Sequence, residues 1–276
     1  MRLFNKVAVI GMGLIGGSMA LDIKKKRLAH QIIGVSRHKD TLIRARKSRV
    51  IDKGSQDLSI IKDADLVVLA TPVNTILKLS QTIAKFVSKD CIVTDVGSTK
   101  CEIVSRLGKT FANYVGSHPL AGSEKSGIRN IQPGIFKDSL CILTPVKNTA
   151  PKALKKIKNL WNQLGAKVVF LSPNTHDNIL SFVSHLPHAI AFSLIDTIPD
   201  KYLKFAANGL KDTTRIALSD SRLWADIFLS NRKNMLKAIE SFQDKLSGIK
   251  LAITRREEKT LIRIMKKAKA KRESLR

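Results

Sequence analysis

The chain predicts an α/β fold: a doubly wound, mostly parallel sheet followed by an all-helical domain. Three observations predict it. The apolar run Val7-Ala8-Val9-Ile10 feeds directly into Gly11-Met12-Gly13-Leu14-Ile15-Gly16 and an amphipathic helix over 14–26. Strand-like apolar runs then alternate with helical segments to about residue 171, the pattern of a doubly wound sheet. From residue 172 onward the apolar spacing is helical and no convincing strand remains. The expected division is therefore 1–171 and 172–276.

The first strand and its glycine turn define the first half. G-x-G-x-x-G between a strand and a helix is the context in which this motif binds dinucleotides, as in a Rossmann domain. Gly11 allows the tight turn, Gly13 lets a pyrophosphate approach the backbone, and Gly16 lets the helix pack on the strand. The helix start then offers free N–H groups to the phosphates. Gly11, Gly13, Leu14, Ile15 and Gly16 are thus the candidate cofactor-binding turn. The second strand, 31–36, ends in Ser36-Arg37 rather than in the Asp or Glu that accepts from an NAD ribose. A guanidinium there pairs with a ribose phosphate, so Ser36 and Arg37 predict NADP over NAD. The alternative is that Arg37 is one more basic residue of a basic chain.

Further strands are expected over 65–72, 91–96, 114–116, 140–145 and 167–171, with a helix over 151–164. Thr71 and Pro72 fall at a carboxyl strand end, where ligands bind in open α/β sheets. Ser98 falls at another, either as a ligand contact or as the N-cap of the helix behind it.

Residues 116–127, Gly-Ser-His-Pro-Leu-Ala-Gly-Ser-Glu-Lys-Ser-Gly, are too irregular for a buried helix or strand and read as a loop. His118 within it is the candidate acid/base, because its ordinary pKa lies near neutrality. Read alone, the stretch is a turn with a surface histidine, and it is the flanking cofactor and anion sites that favour chemistry.

In the helical half, Ser172-Pro173 opens a helix expected to run to about Ile195, bent at Pro187. Ser184 and His188 share one of its faces, with His185 beside them, either as a pocket or as a buried histidine pair. Arg215 precedes Ile216-Ala217-Leu218, so its neighbours look buried and it needs an anion: Asp212, Asp220 or a substrate carboxylate. A helix over 225–229 and a long amphipathic one over 232–271 follow. The stripe of the latter needs a partner, which predicts a homodimer. The charged stretch 255–276 is expected to be solvated or frayed.

Composition bounds the partners. The net charge of +27 raises nucleic-acid binding. The lysines are spread along the chain, without interleaved aromatic residues, which argues against it. Such a surface also attracts anionic cofactors and substrates. Three cysteines, odd in number and without metal-ligand spacing, predict a reduced, cytoplasmic protein with no metal site. The basic start followed by an apolar run resembles a signal peptide, but four glycines between Gly11 and Gly17 argue against that reading. No apolar run looks long enough to span a membrane, so no membrane partner is expected.

Several stretches together carry a resemblance. These are residues 9–18, Thr94-Asp95-Val96-Gly97-Ser98-Thr99-Lys100, residues 116–127, Val183-Ser184-His185-Leu186-Pro187-His188 and Lys211-Asp212-Thr213-Thr214-Arg215-Ile216-Ala217. In them the chain resembles the prephenate/arogenate dehydrogenases of tyrosine biosynthesis over nearly its full length. The resemblance implies a nucleotide-binding domain, a helical dimerisation domain and oxidative decarboxylation of a cyclohexadienyl substrate. It implies that His118 deprotonates the ring hydroxyl and that Ser98 hydrogen-bonds to that hydroxyl or to His118. It makes Arg215 the carboxylate clamp, and Ser123, Glu124, Ser184 and His188 pocket residues. Ser36-Arg37 departs from the Asp of NAD-using relatives. His188 is associated with prephenate, whereas a carboxylate such as Glu124 favours the amino group of arogenate. Two other classes are a β-hydroxyacid dehydrogenase, which typically uses a lysine, and a non-catalytic anion or nucleic-acid binder on the same fold.

Overall fold

The structure, a computed structural model, describes residues 2–123 and 127–275. Eight strands form one sheet: β1 (Phe4–Ile10), β2 (Ala29–Val35), β3 (Lys53–Ser55), β4 (Leu66–Leu69), β5 (Ile92–Asp95), β6 (Tyr114–Pro119), β7 (Leu140–Thr144) and β8 (Lys167–Phe170). Their order is β3-β2-β1-β4-β5-β6-β7-β8. All neighbours pair parallel except β6 with β7. The helices connecting them are α1 (Leu14–Lys25), α2 (Lys39–Lys47), α3 (Val73–Ala84), α4 (Cys101–Thr110) and α5 (Pro151–Leu164).

The continuous apolar runs follow from burial on both faces. Val7 and Val9 pack with Met19, Ile23 and Trp161 on one side. Ala8 and Ile10 pack with Val67, Leu69, Ile76 and Val93 on the other. Ile10 is level with Val35 and Leu69, and Leu69 with Asp95. Parallel pairing therefore brings the residues after β1, β2, β4 and β5 to one edge. β6 is parallel to β5, with Val115 opposite Thr94, and carries His118 towards that same edge.

One expectation changes here. Residues 116–119 are strand, not loop, because β7 pairs antiparallel with them and places His118 opposite Ile142. Gly116 serves close packing: a Cβ there would lie 2.4 Å from Thr144 Oγ1.

Beyond the sheet come α6 (Pro173–Leu180), a π turn over Ser181–His185, α7 (Leu186–Asp196), α8 (Asn208–Thr214) and α9 (Ser221–Ser230). Pro187 sits in the first turn of α7, and the wide turn before it absorbs the missing N–H and the ring clash. Contrary to expectation, Pro173–Asp196 is long and apolar enough to cross a membrane by length and composition. Within it His176, Asp177 and His185 are nonetheless buried in the protein and hydrogen-bonded there.

Two compact units are present, Met1–Asn231 and Arg232–Arg276. In the second, the single helix expected over 232–271 is two, α10 (Arg232–Thr254) and α11 (Glu258–Glu273), packed on each other. Arg256 takes φ +53°, and Glu257 N–H bonds back to Ala252 O at 2.9 Å. That is the left-handed stop that satisfies helix-end carbonyls. α11 buries none of its residues, so this charged stretch is exposed yet helical rather than frayed.

Candidate active site

The cofactor edge is made largely of backbone. Gly11 has φ +101°, and a Cβ on it would lie 2.5 Å from Ala70 O, so the turn closes on the end of β4 only with glycine. A Cβ on Gly13 would meet nothing within 4 Å. Gly13 is the N-cap of α1 and provides no side-chain cap to its first turn. Leu14 is buried and Ile15 half-buried behind that turn. The room left at Gly13 is what the close approach of a dinucleotide pyrophosphate requires. Ser36 lies just beyond β2, where its Oγ accepts from His38 N–H at 3.2 Å. Arg37 is exposed beside it, and its carbonyl accepts from Gln56 Nε2 at 2.6 Å. Thr71 and Pro72 join β4 to α3, and Pro72 occupies the N-cap position of that helix. Asp226 of α9 holds the first turn of α3 from across the site, accepting from Asn74 N–H at 3.1 Å and from its side-chain amide.

Ser98 is half-buried in the bend between β5 and α4. It is not the cap of α4: Lys100 holds the N-cap position, without a side-chain cap. The N–H groups of Lys100 and Cys101 are accepted instead by Asp177, at 2.7 and 2.8 Å. Beneath this bend lies a fully buried ion pair of Lys100 with Asp95. Lys100 Nζ also donates to the carbonyl of Ser117 at 2.8 Å. Asp95 accepts from Gly97 N–H at 2.8 Å and from Tyr114 Oη at 2.7 Å. The pair thus ties the Ser98 bend to the residue before His118. A buried pair so well supplied with hydrogen bonds fixes geometry more than it adds stability.

His118 is half-buried and bonds through Nδ1 to His176 Nε2 at 2.8 Å. Burial holds its pKa well below the usual histidine value, and His176, Lys100 and His185 push the same way. It is therefore a neutral imidazole near pH 7. Burial alone would raise Asp177, but hydrogen bonds from His176, Cys101 and Lys100 outweigh it and hold the carboxyl low.

The other wall comes from the helices. His188 Nδ1 donates to Ser184 O at 3.0 Å. Its ring stacks on Trp224 of α9 at 3.5 Å between centroids and 19° between planes. Burial lowers its pKa, and nearby Arg215 lowers it further. Ser184 is half-buried in the π turn, while His185 is buried and accepts from Asn231 Nδ2 at 3.2 Å. Arg215 opens a short 3-10 turn and is exposed. Its neighbours differ from expectation: Ile216 and Ala217 are half-buried and Leu218 is 75% exposed. Asp220, one expected partner of Arg215, accepts from Leu223 N–H at 2.8 Å as the cap of α9. Ser123 is exposed, and Glu124 lies outside the described residues. Among the described residues no cluster suits a metal ion.

The amino-acid pattern alone did not single out His176, Asp177, Trp224 or Asn231. A His-Asp pair directly behind the Ser172-Pro173 helix start is the signal that could have found two of them.

Comparison with known proteins places this geometry. A profile of the prephenate dehydrogenase nucleotide-binding domain matches residues 19–170, and one of the prephenate dehydrogenase dimerization domain matches residues 172–267. Prephenate dehydrogenase of Bacillus subtilis (strain 168) is 34% identical over 282 residues, covering 98% of this chain and 76% of its own. Cyclohexadienyl dehydrogenase of Zymomonas mobilis is 31% identical over 285 residues, covering 100% and 97%. The structure resembles that of Aquifex aeolicus prephenate dehydrogenase, crystallised with hydroxyphenyl propionate and NAD+, at a TM-score of 0.94 and 36% identity, over 99% of this chain and 98% of that one. A nucleotide-binding sheet with a helical partner segment, matched on both sides of residue 171, makes this chain a member of the prephenate dehydrogenase family.

Proposed function

We propose that this chain oxidatively decarboxylates prephenate or arogenate in tyrosine biosynthesis, using NADP in preference to NAD. The observation that carries the reading is His118. It stands at the carboxyl edge of the sheet, its pKa lowered by burial, with Nδ1 bonded to His176, and the reading assigns its Nε2 to the substrate. Bound along the glycine turn, the nicotinamide supplies the acceptor for the ring hydride.

His118 Nε2 accepts the proton of the ring hydroxyl as the hydride leaves the same carbon. A positioned general base contributes about 10²–10⁴-fold. The developing carbonyl withdraws the electron pair released when the substrate carboxylate departs as carbon dioxide, and the ring becomes aromatic. Ser98 hydrogen-bonds to the hydroxyl or to His118. Arg215 holds a substrate carboxylate, and His188, Ser184 and Ser123 are further pocket residues; a pocket role for Glu124 comes from the sequence resemblance alone. Arg37 and Ser36 read the ribose phosphate, and Gly11, Gly13, Leu14, Ile15, Gly16, Thr71 and Pro72 surround the dinucleotide. The active form is a homodimer, supported by the family's dimerization-domain match, and the three free cysteines suit the cytoplasm.

Nicotinamide reduction is followed with prephenate or arogenate, each with NADP or NAD. Turnover with either substrate is expected, fastest with NADP. Silence in all four combinations, with folded protein, would remove the reading. A faster rate with NAD would remove the role given to Arg37.

A further inference from the structure

We infer that His176 and Asp177 form a positioning relay that fixes the tautomer of His118 and sets Ser98 beside it. The inference rests on His118 being the base. Its starting point is a continuous chain of short bonds. Asp177 Oδ1 lies 2.7 Å from His176 Nδ1, and His176 Nε2 lies 2.8 Å from His118 Nδ1.

The direction of each bond follows from Asp177, because a carboxylate held ionised only accepts. Its oxygens already take the N–H groups of Lys100 and Cys101. His176 must then donate from Nδ1. Burial lowers the pKa of His176, so the ring is neutral and its Nε2 is an acceptor. That nitrogen in turn requires a proton on His118 Nδ1. The lone pair of His118 is thereby left on Nε2, the nitrogen available for the substrate hydroxyl. This is the logic of a base oriented by a carboxylate, lengthened by one imidazole.

Protonating His176 reverses the order. Its Nε2 becomes a donor, His118 Nδ1 must accept, and Nε2 of His118 carries the proton. The charged and titratable groups facing the relay are Lys100 at the start of α4, Asp95 on β5 and His185 in the π turn. Asn231, at the end of α9, donates to the carbonyl of Asp177 at 2.7 Å and fixes the acid from its backbone side.

Asp177 has a second task. By accepting from Lys100 and Cys101 it caps α4 from another helix, and the bend before that cap carries Ser98. One carboxylate therefore sets both the base and the hydroxyl beside it.

Four positions test this. His176→Leu removes the acceptor, and kcat is expected to fall at least about 10²-fold while KM and cofactor affinity change less than about threefold. His176→Gln keeps an acceptor towards His118 and a donor towards Asp177, and is expected to recover at least about tenfold of that loss. With the lone pair that accepts from the His118 imidazolium gone in His176→Leu, the acid limb of kcat/KM moves to lower pH. A merely structural residue would leave that limb in place. For Asp177→Asn, the effect of Ser98→Ala should shrink relative to its effect in the parent, because the bend is no longer held. His118→Asn is the control: turnover surviving it overturns the base reading itself. If His118→Asn is dead while His176→Leu keeps its kcat, or if Leu and Gln behave alike at position 176, the relay alone is overturned. Additive Asp177 and Ser98 effects overturn the link to Ser98. Cofactor binding by fluorescence quenching reports folding for every variant.

Discussion

The cofactor edge and the helical wall solve opposite problems. In the proposed function the edge after β1, β2 and β4 recognises a ligand with backbone N–H groups, so it needs glycine and a fixed spacing, and one short stretch of chain supplies most of it. In the proposed reaction the wall handles a proton and an anion with side chains. It gathers His118, His176, Asp177, His188 and Arg215 from segments far apart in the chain, and burial holds its histidines below their usual pKa. Local spacing builds the first; tertiary packing builds the second. The two should therefore fail differently.

The largest separation is expected from His118→Asn. It should lower kcat by about 10²–10⁴-fold while leaving cofactor affinity within about twofold, because no backbone contact of the edge is altered. Steady-state kinetics with fluorescence titration of NADP check this. Comparable losses in both measurements would mean that His118 belongs to the cofactor edge.

Next comes acid sensitivity. His118, His176, His185 and His188 are all held below the usual histidine value, first by burial. For His185 the value falls from 6.5 to about 4. The unfolded chain therefore binds protons below about pH 6.5 that the folded chain refuses. Stability is full above that pH and falls as pH drops towards the folded value. Each pH unit between the two values costs about 1.36 kcal/mol, so His185 alone accounts for about 3 kcal/mol of loss by pH 4. Urea midpoints measured from pH 7 to pH 4.5 should decline steadily, and His185→Gln should flatten the slope. A flat parent profile between pH 6.5 and pH 5 would show these rings to be solvated.

The same contrast explains what the sequence disclosed. The parallel sheet was legible because strands buried on both faces must be apolar throughout, as in β1 and β4. The glycine turn was legible because a positive φ and an approach to a carbonyl exclude other residues. His118 was legible as a candidate, but not as a strand residue, since its strand is made by the distant partner β7. His176 and Asp177 looked like ordinary polar residues of a helix start. Only folding turns that helix so that its acid caps α4 and its imidazole meets His118. The break at Arg256 was hidden for a related reason: the apolar stripe of α10 runs on in period, and a single left-handed residue redirects it.

Arg215→Ala tests the anion-binding part of the wall. Arg215 lies near enough to His188 to depress it, at the mouth of the wall formed by the His188–Trp224 stack. Losing a charge-assisted bond to a substrate carboxylate should raise KM about 10- to 100-fold, with a smaller change in kcat. An unchanged KM would return Arg215 to a structural role.

The smallest effect is expected where the edge depends on a side chain. Arg37 is exposed, so water and salt screen its attraction for a ribose phosphate. Arg37→Ala should raise the KM for NADP roughly fivefold, leave that for NAD within about twofold, and lose most of the difference at high salt. Adding a carboxylate sharpens the point, because the ribose phosphate is then repelled while the free ribose gains an acceptor. Ser36→Asp in the Arg37→Ala background should therefore invert the preference. Equal effects of Arg37→Ala on both cofactors would place phosphate recognition elsewhere on this edge. They would leave the glycine turn intact, because its contacts depend on no side chain.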